Sequence, residues 1–344
     1  MKGVVKYKRG DGFTELRDVA VRNPDAHEVL VEVHSAGICG SDLHIHHDHI
    51  NIPMNPPVII GHEFSGTIVE RGAEVENVEV GDRVTVEPGF WTCGQCDYCH
   101  TGFSNLCNQR QVIGYWHNGA FAKYCTVPEH GLHKLPPNVD FISGALTEPL
   151  ACCVHGVIEQ TKIAAGDFVV ITGPGAIGIL SLQLAKAEGG IVAVCGTSGD
   201  EKRLKQAEEL GADLTIDVDK DSPESVIKER TDGYGADVVL ECSGVASAAR
   251  LGLELVRKRG KYTQMGLFGE AINIDFERIA FKELQVTGFI AQKRTAWERA
   301  LRLMEHGMVS TKALITHEMP ISEWKEAFDL FESREGLKLI LHPE

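Results

Sequence analysis

A chain of 344 residues with 43% hydrophobic and 24% charged side chains has an ordinary globular composition and room for about two domains. Its net charge of −15 excludes the concentrated basic face that nucleic acid requires, and no run of about 18 apolar residues is present to span a membrane. The start, Met1-Lys2-Gly3-Val4-Val5-Lys6-Tyr7-Lys8-Arg9, lacks the apolar core of a signal peptide. Ten cysteines in a chain of this size therefore read as reduced thiols and metal ligands in a cytoplasmic protein rather than as a disulfide framework.

Residues 1 to 150 read as short strands punctuated by Gly and Pro, for example 29–33, 66–69, 83–86 and 121–127. The pattern changes near residue 161. An apolar strand at 168–172 leads through a Gly-rich turn into a helical pattern at 177–188. Then come apolar 191–195, helical 200–210 ended by Gly211, and strand-like 214–217, 237–241 and 261–266. Alternating β and α units predict a parallel sheet with helices on both faces. Helical patterns at 295–305 and 321–331 and an apolar run at 337–341 close the chain.

Cys93, Cys96, Cys99 and Cys107 follow the spacing C-x2-C-x2-C-x7-C. Four thiolates so close in sequence can enclose one tetrahedral zinc and leave no open position, which predicts a structural site. An iron–sulfur run of the bacterial type is the rival, but it places the fourth cysteine after three residues and a proline next. Here the fourth cysteine comes after seven, followed by Asn108. The remaining cysteines, Cys125, Cys152, Cys153, Cys195 and Cys242, read as core residues.

Gly173-Pro174-Gly175-Ala176-Ile177-Gly178 fits G-x-G-x-x-G between an apolar strand and an amphipathic helix. In that context the glycines allow a tight turn and close approach of a dinucleotide pyrophosphate to the helix N-terminus. The second strand ends in Gly196-Thr197-Ser198-Gly199 with no acid at its tip, and Lys202, Arg203 and Lys205 follow. A small uncharged tip near cations leaves room for a 2′-phosphate and favours NADP, with dual use of NAD and NADP open.

Cys39, His62, Glu63 and Glu148 are scattered, yet one thiolate, one imidazole and one or two carboxylates suit a zinc with an open position. The segment Gly61-His62-Glu63-x2-Gly66-x5-Gly72-x2-Val75, with Cys39, the four-cysteine lobe and the nucleotide motif in order, resembles the zinc-dependent medium-chain alcohol and polyol dehydrogenases over essentially the whole length. The resemblance implies an α/β protein with a GroES-like β-rich catalytic domain at 1–151 and 291–344. A doubly wound Rossmann domain at 152–290 would be inserted between these segments.

The resemblance also implies two zinc ions per subunit, with Cys39, His62 and Glu148 as catalytic-zinc ligands. Glu63 would stand beside them as an exchangeable ligand or water-binding acid. Ser41 would accept a hydrogen bond from the alcohol, and His44 would pass the proton toward solvent. The neighbouring run His46, His47 and His49 reads as a wet loop over this site.

Homodimers or homotetramers are implied, with 284–291 as the joining sheet edge. Glu148-Pro149-Leu150 resembles the sorbitol dehydrogenase group, so the expected substrate is a secondary alcohol of the polyol, sugar-alcohol or polyol-phosphate class. Cys39-Gly40-Ser41-Asp42-x-His44 is also similar to the L-threonine 3-dehydrogenases, which makes that activity the alternative within the enzyme class. Outside it stands a nucleotide-binding protein of the same fold without zinc chemistry.

Overall fold

A computed structural model describes residues 1–49 and 53–344. It contains two compact units, one of Met1–Ala151, Gln292–Glu305 and Ser310–Glu344, the other of Cys152–Ala291 and His306–Val309.

The first unit is built on a seven-stranded sheet. Glu28–Gly37 lies at its centre, flanked by Glu63–Arg71 and by the C-terminal strand Lys338–His342, and Tyr124–Pro128 pairs with it as well. These strands carry Val29, Val31, Phe64, Ile68, Leu339 and Leu341 into one core, at the even spacing that puts side chains on one face of a strand. The C-terminal helix Trp324–Glu332 closes that core with Trp324, Ala327 and Phe328, apolar positions three and four apart. Two pairings matter for function: Gly37 opposite Glu63, and Gly37 opposite Ile340. They bring the ends of three distant segments together beside Cys39.

The second unit is a six-stranded, all-parallel sheet in the order Leu214–Asp217, Ile191–Gly196, Phe168–Thr172, Ala236–Glu241, Val256–Gln264, Gln285–Gly288. This is the strand order of a dinucleotide-binding sheet, with its switch point beside Phe168–Thr172. That central strand is buried throughout, whereas Gln285–Gly288 forms an exposed edge.

Most expected elements form within a residue or two of their sequence bounds. One strand starts earlier than expected, at Val256, because polar Arg257–Arg259 hides its pattern and a register shift separates Val256 from Lys261. The expectation of a loop at the histidine run is corrected. Gly40–His47 is a helix, and His46 packs edge-on against Trp324 and Phe328, with ring centroids 5.8 Å from each.

Candidate active site and nucleotide turn

Cys39 leaves the central strand as the cap of helix Gly40–His47. Its amide donates to the Asp42 carboxylate at 2.9 Å, a first-turn acid suited to the helix dipole. A side chain at Gly37 would collide with the Glu63 carboxylate and meet Leu146 at 3.0 Å, so only glycine lets the two strands close here. The result is a cluster in which one ligand atom each of Cys39, His62 and Glu63 lies within 4.8 Å of the others.

The surroundings are charged and dry. Asp42 is fully buried, and its Oδ1 lies 3.4 Å from His62 Nδ1, within ion-pair range of the ring without a hydrogen bond between the two atoms. Burial alone would lower the His62 pKa, but Tyr115, Asp42 and Cys39 outweigh it and hold that pKa well above the ordinary value. The cluster therefore favours positive charge, which is what a cation supplies.

Glu63 Oε2 pairs with the buried Lys338 ammonium, which also donates to the Ile38 carbonyl at 2.8 Å. Burial pulls the Lys338 pKa down, but Glu63 and Cys39 raise it more, so the ammonium stays charged. Glu63 Oε1 is buried without a hydrogen-bond partner. A soft thiolate, an imidazole and a carboxylate with one orphaned oxygen fit zinc.

Ser41, on the same helix, donates to Cys39 Sγ at 3.1 Å and lies 3.5 Å from His62 Nε2. Its own oxygen accepts from the Tyr115 hydroxyl at 2.8 Å. Burial pushes the Tyr115 phenol above its usual range, so it remains a donor. His44 sits one turn along the helix and is half-buried. Burial, then the charges of His49 and His47, lower its pKa below the ordinary value.

Glu148 stands beside this cluster rather than within it. It lies on helix Thr147–Cys153 and accepts from Gln292 Nε2 at 2.8 Å. Burial is the main cause of its raised pKa, and the Glu63 charge adds to it.

The structure thus brings Cys39, His62, Glu63 and Ser41 together, with Glu148 adjacent. Sequence reasoning missed Asp42, Lys338 and Gln292 as parts of the site. Asp42 sits at a capping distance from Cys39, and Lys338 is a cation inside an apolar strand. Both are readable signals of a buried partner. Gln292 carries no such signal, whereas Tyr115 stands in the aromatic run 114–121, which the sequence offers equally as a lining of the cleft and as a structural turn.

The four-cysteine lobe assembles around short helix Asp97–His100. Its sulfurs are 4.0 Å (Cys93–Cys99), 3.5 Å (Cys96–Cys99) and 3.6 Å (Cys93–Cys107) apart, and none is in a disulfide. Tetrahedral Zn–S bonds of about 2.3 Å place sulfurs about 3.8 Å apart, so this set also fits zinc. Hydrogen bonds led by the Gln95 backbone N–H lower the Cys93 pKa to about 6, toward the thiolate a metal needs. Of the other cysteines, Cys125, Cys153 and Cys195 are buried, while Cys152 and Cys242 are partly exposed.

In the second unit, Gly173 has φ of 95°, and a Cβ there would lie 2.7 Å from the Ser243 Cβ. Gly175 caps helix Ala176–Ala187, and a Cβ on Gly178 would strike the Gly173 carbonyl. Turn, helix start and close packing match the roles of the three glycines in a dinucleotide fingerprint. At the next strand tip, Thr197 N and Oγ1 donate to Asp200 (3.0 and 2.8 Å). Ser198 N donates to Asp219 (2.9 Å), and its hydroxyl donates to Asp217 (2.8 Å). Arg203 lies 3.7 Å from Asp200, and Lys202 is exposed.

Residues 25–137 match the alcohol dehydrogenase GroES-like domain, and residues 176–306 match the zinc-binding dehydrogenase domain. The chain is 46% identical to a sorbitol dehydrogenase of Halalkalibacterium halodurans, covering 100% of this chain and 99% of that one. It is 40% identical to a D-arabitol-phosphate dehydrogenase of Enterococcus avium, covering 99% and 97%. L-Threonine 3-dehydrogenases also match, at lower identity. A zinc-binding dehydrogenase of Sinorhizobium meliloti solved bound to NADP superposes with a TM-score of 0.89 at 32% identity, covering 99% of each chain. The chain belongs to the zinc-dependent medium-chain alcohol and polyol dehydrogenases, NAD(P)-dependent oxidoreductases of secondary alcohols.

Proposed function

We propose that Cys39, His62 and Glu63 hold the catalytic zinc directly, and that Glu148, steadied by Gln292, stands one contact back as a water- or substrate-binding carboxylate. The observation that carries this reading is the convergence of the three donors within 4.8 Å, with Glu63 Oε1 left unpartnered. When bound, zinc acidifies an alcohol and the nicotinamide accepts its hydride, giving the ketone. The chain's own residues do the rest. Asp42 fixes the His62 ring, and Lys338 anchors Glu63. Tyr115 sets the Ser41 hydroxyl, which hands the alcohol proton on toward His44. With its lowered pKa, His44 is neutral at pH 7 and can accept.

Cys93, Cys96, Cys99 and Cys107 would hold a second, structural zinc, for two per subunit. Gly173, Gly175, Ala176, Ile177 and Gly178 would cradle the pyrophosphate. Gly196, Thr197 and Ser198 would face the adenosine ribose, with Lys202 and Arg203 following on the helix. Asp200, Asp217 and Asp219 already converge on Thr197 and Ser198. Their charges disfavour a 2′-phosphate, which supports NAD over NADP as the preferred cofactor. Comparing kcat/KM for the two dinucleotides tests it, and NADP preferred by the wild type would reverse it.

The polyol class is supported by the sorbitol and arabitol-phosphate dehydrogenases among the relatives, ahead of threonine. The exposed edge strand Gln285–Gly288, with Val286 and the preceding Phe281 on the surface, supports pairing of subunits into a homodimer or homotetramer. The ten cysteines form no disulfide, which supports a reducing, cytoplasmic compartment. Among the described residues no helix is long and apolar enough to cross a membrane.

A dehydrogenase screen of polyols, polyol phosphates, L-threonine and simple alcohols, run alongside zinc analysis, tests the whole reading. Polyol oxidation with two zinc per chain is expected. One zinc per chain and no alcohol oxidised would contradict it.

A further inference from the structure

Gln292 is 5% exposed and donates its side-chain NH2 to Glu148. With its NH2 end turned to Glu148 at 2.8 Å, the amide points its carbonyl oxygen away from that carboxyl group. That oxygen, Gln292 Oε1, is buried and has no hydrogen-bond partner. A buried carbonyl oxygen without a donor is costly, and such atoms stand where a ligand supplies the missing hydrogen. The position is specific. Glu148 lies close enough to His62 and Glu63 for their charges to act on it, so Gln292 is one residue removed from the proposed zinc donors.

Resting on the dehydrogenase reading above, we infer that Gln292 Oε1 accepts a hydrogen bond from a substrate hydroxyl next to the carbinol being oxidised. The site then selects vicinal diols over lone secondary alcohols. A simple alcohol satisfies the zinc donors and the Ser41 relay but leaves Oε1 unpaired. A diol satisfies both. Sites that hydrogen-bond a substrate hydroxyl discriminate strongly against the analogue lacking it, because their own polar group is then stranded.

The test compares butane-2,3-diol with butan-2-ol on zinc-loaded wild type, Gln292→Met and Gln292→Asn. Methionine removes both ends of the amide at similar length, and asparagine withdraws the oxygen by one methylene. Weakened support of Glu148 acts on both alcohols alike, so the ratio of their kcat/KM values isolates the hydroxyl contact. We expect Gln292→Met to lower the diol-to-alcohol ratio about 10- to 100-fold, over and above any loss common to both alcohols. Gln292→Asn should move the ratio the same way by less, and it carries the test if the methionine variant does not fold.

Equal losses on both alcohols, or none, would overturn the inference and leave Gln292 a support for Glu148. If the wild type oxidises neither alcohol, the dehydrogenase reading fails and calorimetric binding decides this one. Tighter binding of the diol by wild type but not by the variants sustains it. Equal binding, or none, overturns it.

Discussion

The two cysteine-bearing clusters of the first unit are built on opposite plans. The lobe takes all four donors from fifteen consecutive residues, uses one element type four times, and draws support from its own backbone N–H groups. The Cys39 cluster takes one thiolate, one imidazole and one carboxylate from separate segments, and each is backed by a charged or polar residue. A closed set of like ligands holds a metal and excludes everything else. A mixed set with an orphaned oxygen and ionised support leaves room for chemistry. The difference teaches that reactivity resides in the supporting residues, Asp42, Lys338, Tyr115 and Gln292, more than in the donors alone.

Breaking that support should separate the two plans. Lys338→Met strands the buried Glu63 carboxylate and should cost about 3–5 kcal/mol of stability, read as lost urea resistance and melting temperature. If stability is unchanged, the ion pair does not anchor Glu63. Asp42→Asn should weaken zinc at the Cys39 cluster about 10- to 100-fold in chelator competition while the lobe keeps its metal. Equal weakening at both clusters would erase the contrast.

Tyr115→Phe removes one hydroxyl and should lower kcat up to about tenfold with zinc content unchanged, as fits one hydrogen bond to the relay serine. An unaltered kcat would remove Tyr115 from the site. The smallest effect concerns pH. The His44 pKa lies below 6.5, so its neutral, proton-accepting form persists down through pH 6.5. The acid limb of alcohol oxidation should therefore fall below pH 6.5, and His44→Gln should abolish that limb. A limb unchanged in the variant would assign it to another group.

The same contrast explains what was legible in the sequence. The lobe is local, so spacing alone shows four donors and their closed geometry. The nucleotide turn is local too, and its glycines fall where the fingerprint places them. The Cys39 cluster depends on strand register. Gly37 opposite Glu63 and Ile340 is a fact of pairing across 26 and 303 positions, which no short motif encodes. Resemblance to a family nominated Cys39, His62, Glu63 and Glu148, but which of them converge within 4.8 Å, and the hold of Gln292 on Glu148, came only from packing.

The histidine run looked like a loop because four histidines within six residues mask a helical period. Asp42 at its start and the apolar contacts of His46 determine the helix instead. The strand tip at Ser198 looked uncharged because the acids that reach it, Asp217 and Asp219, arrive from the neighbouring strand and the turn after it.

Zinc content per chain, measured on Cys39→Ser and Cys107→Ser alongside the wild type, tests the central claim most directly. Two zinc ions are expected in the wild type and one in each variant. Cys39→Ser should lose on the order of 10³-fold in activity at an unchanged melting temperature, whereas Cys107→Ser should melt earlier and keep the kcat of its folded fraction. A Cys39→Ser enzyme that retains both zinc ions and full activity would contradict it.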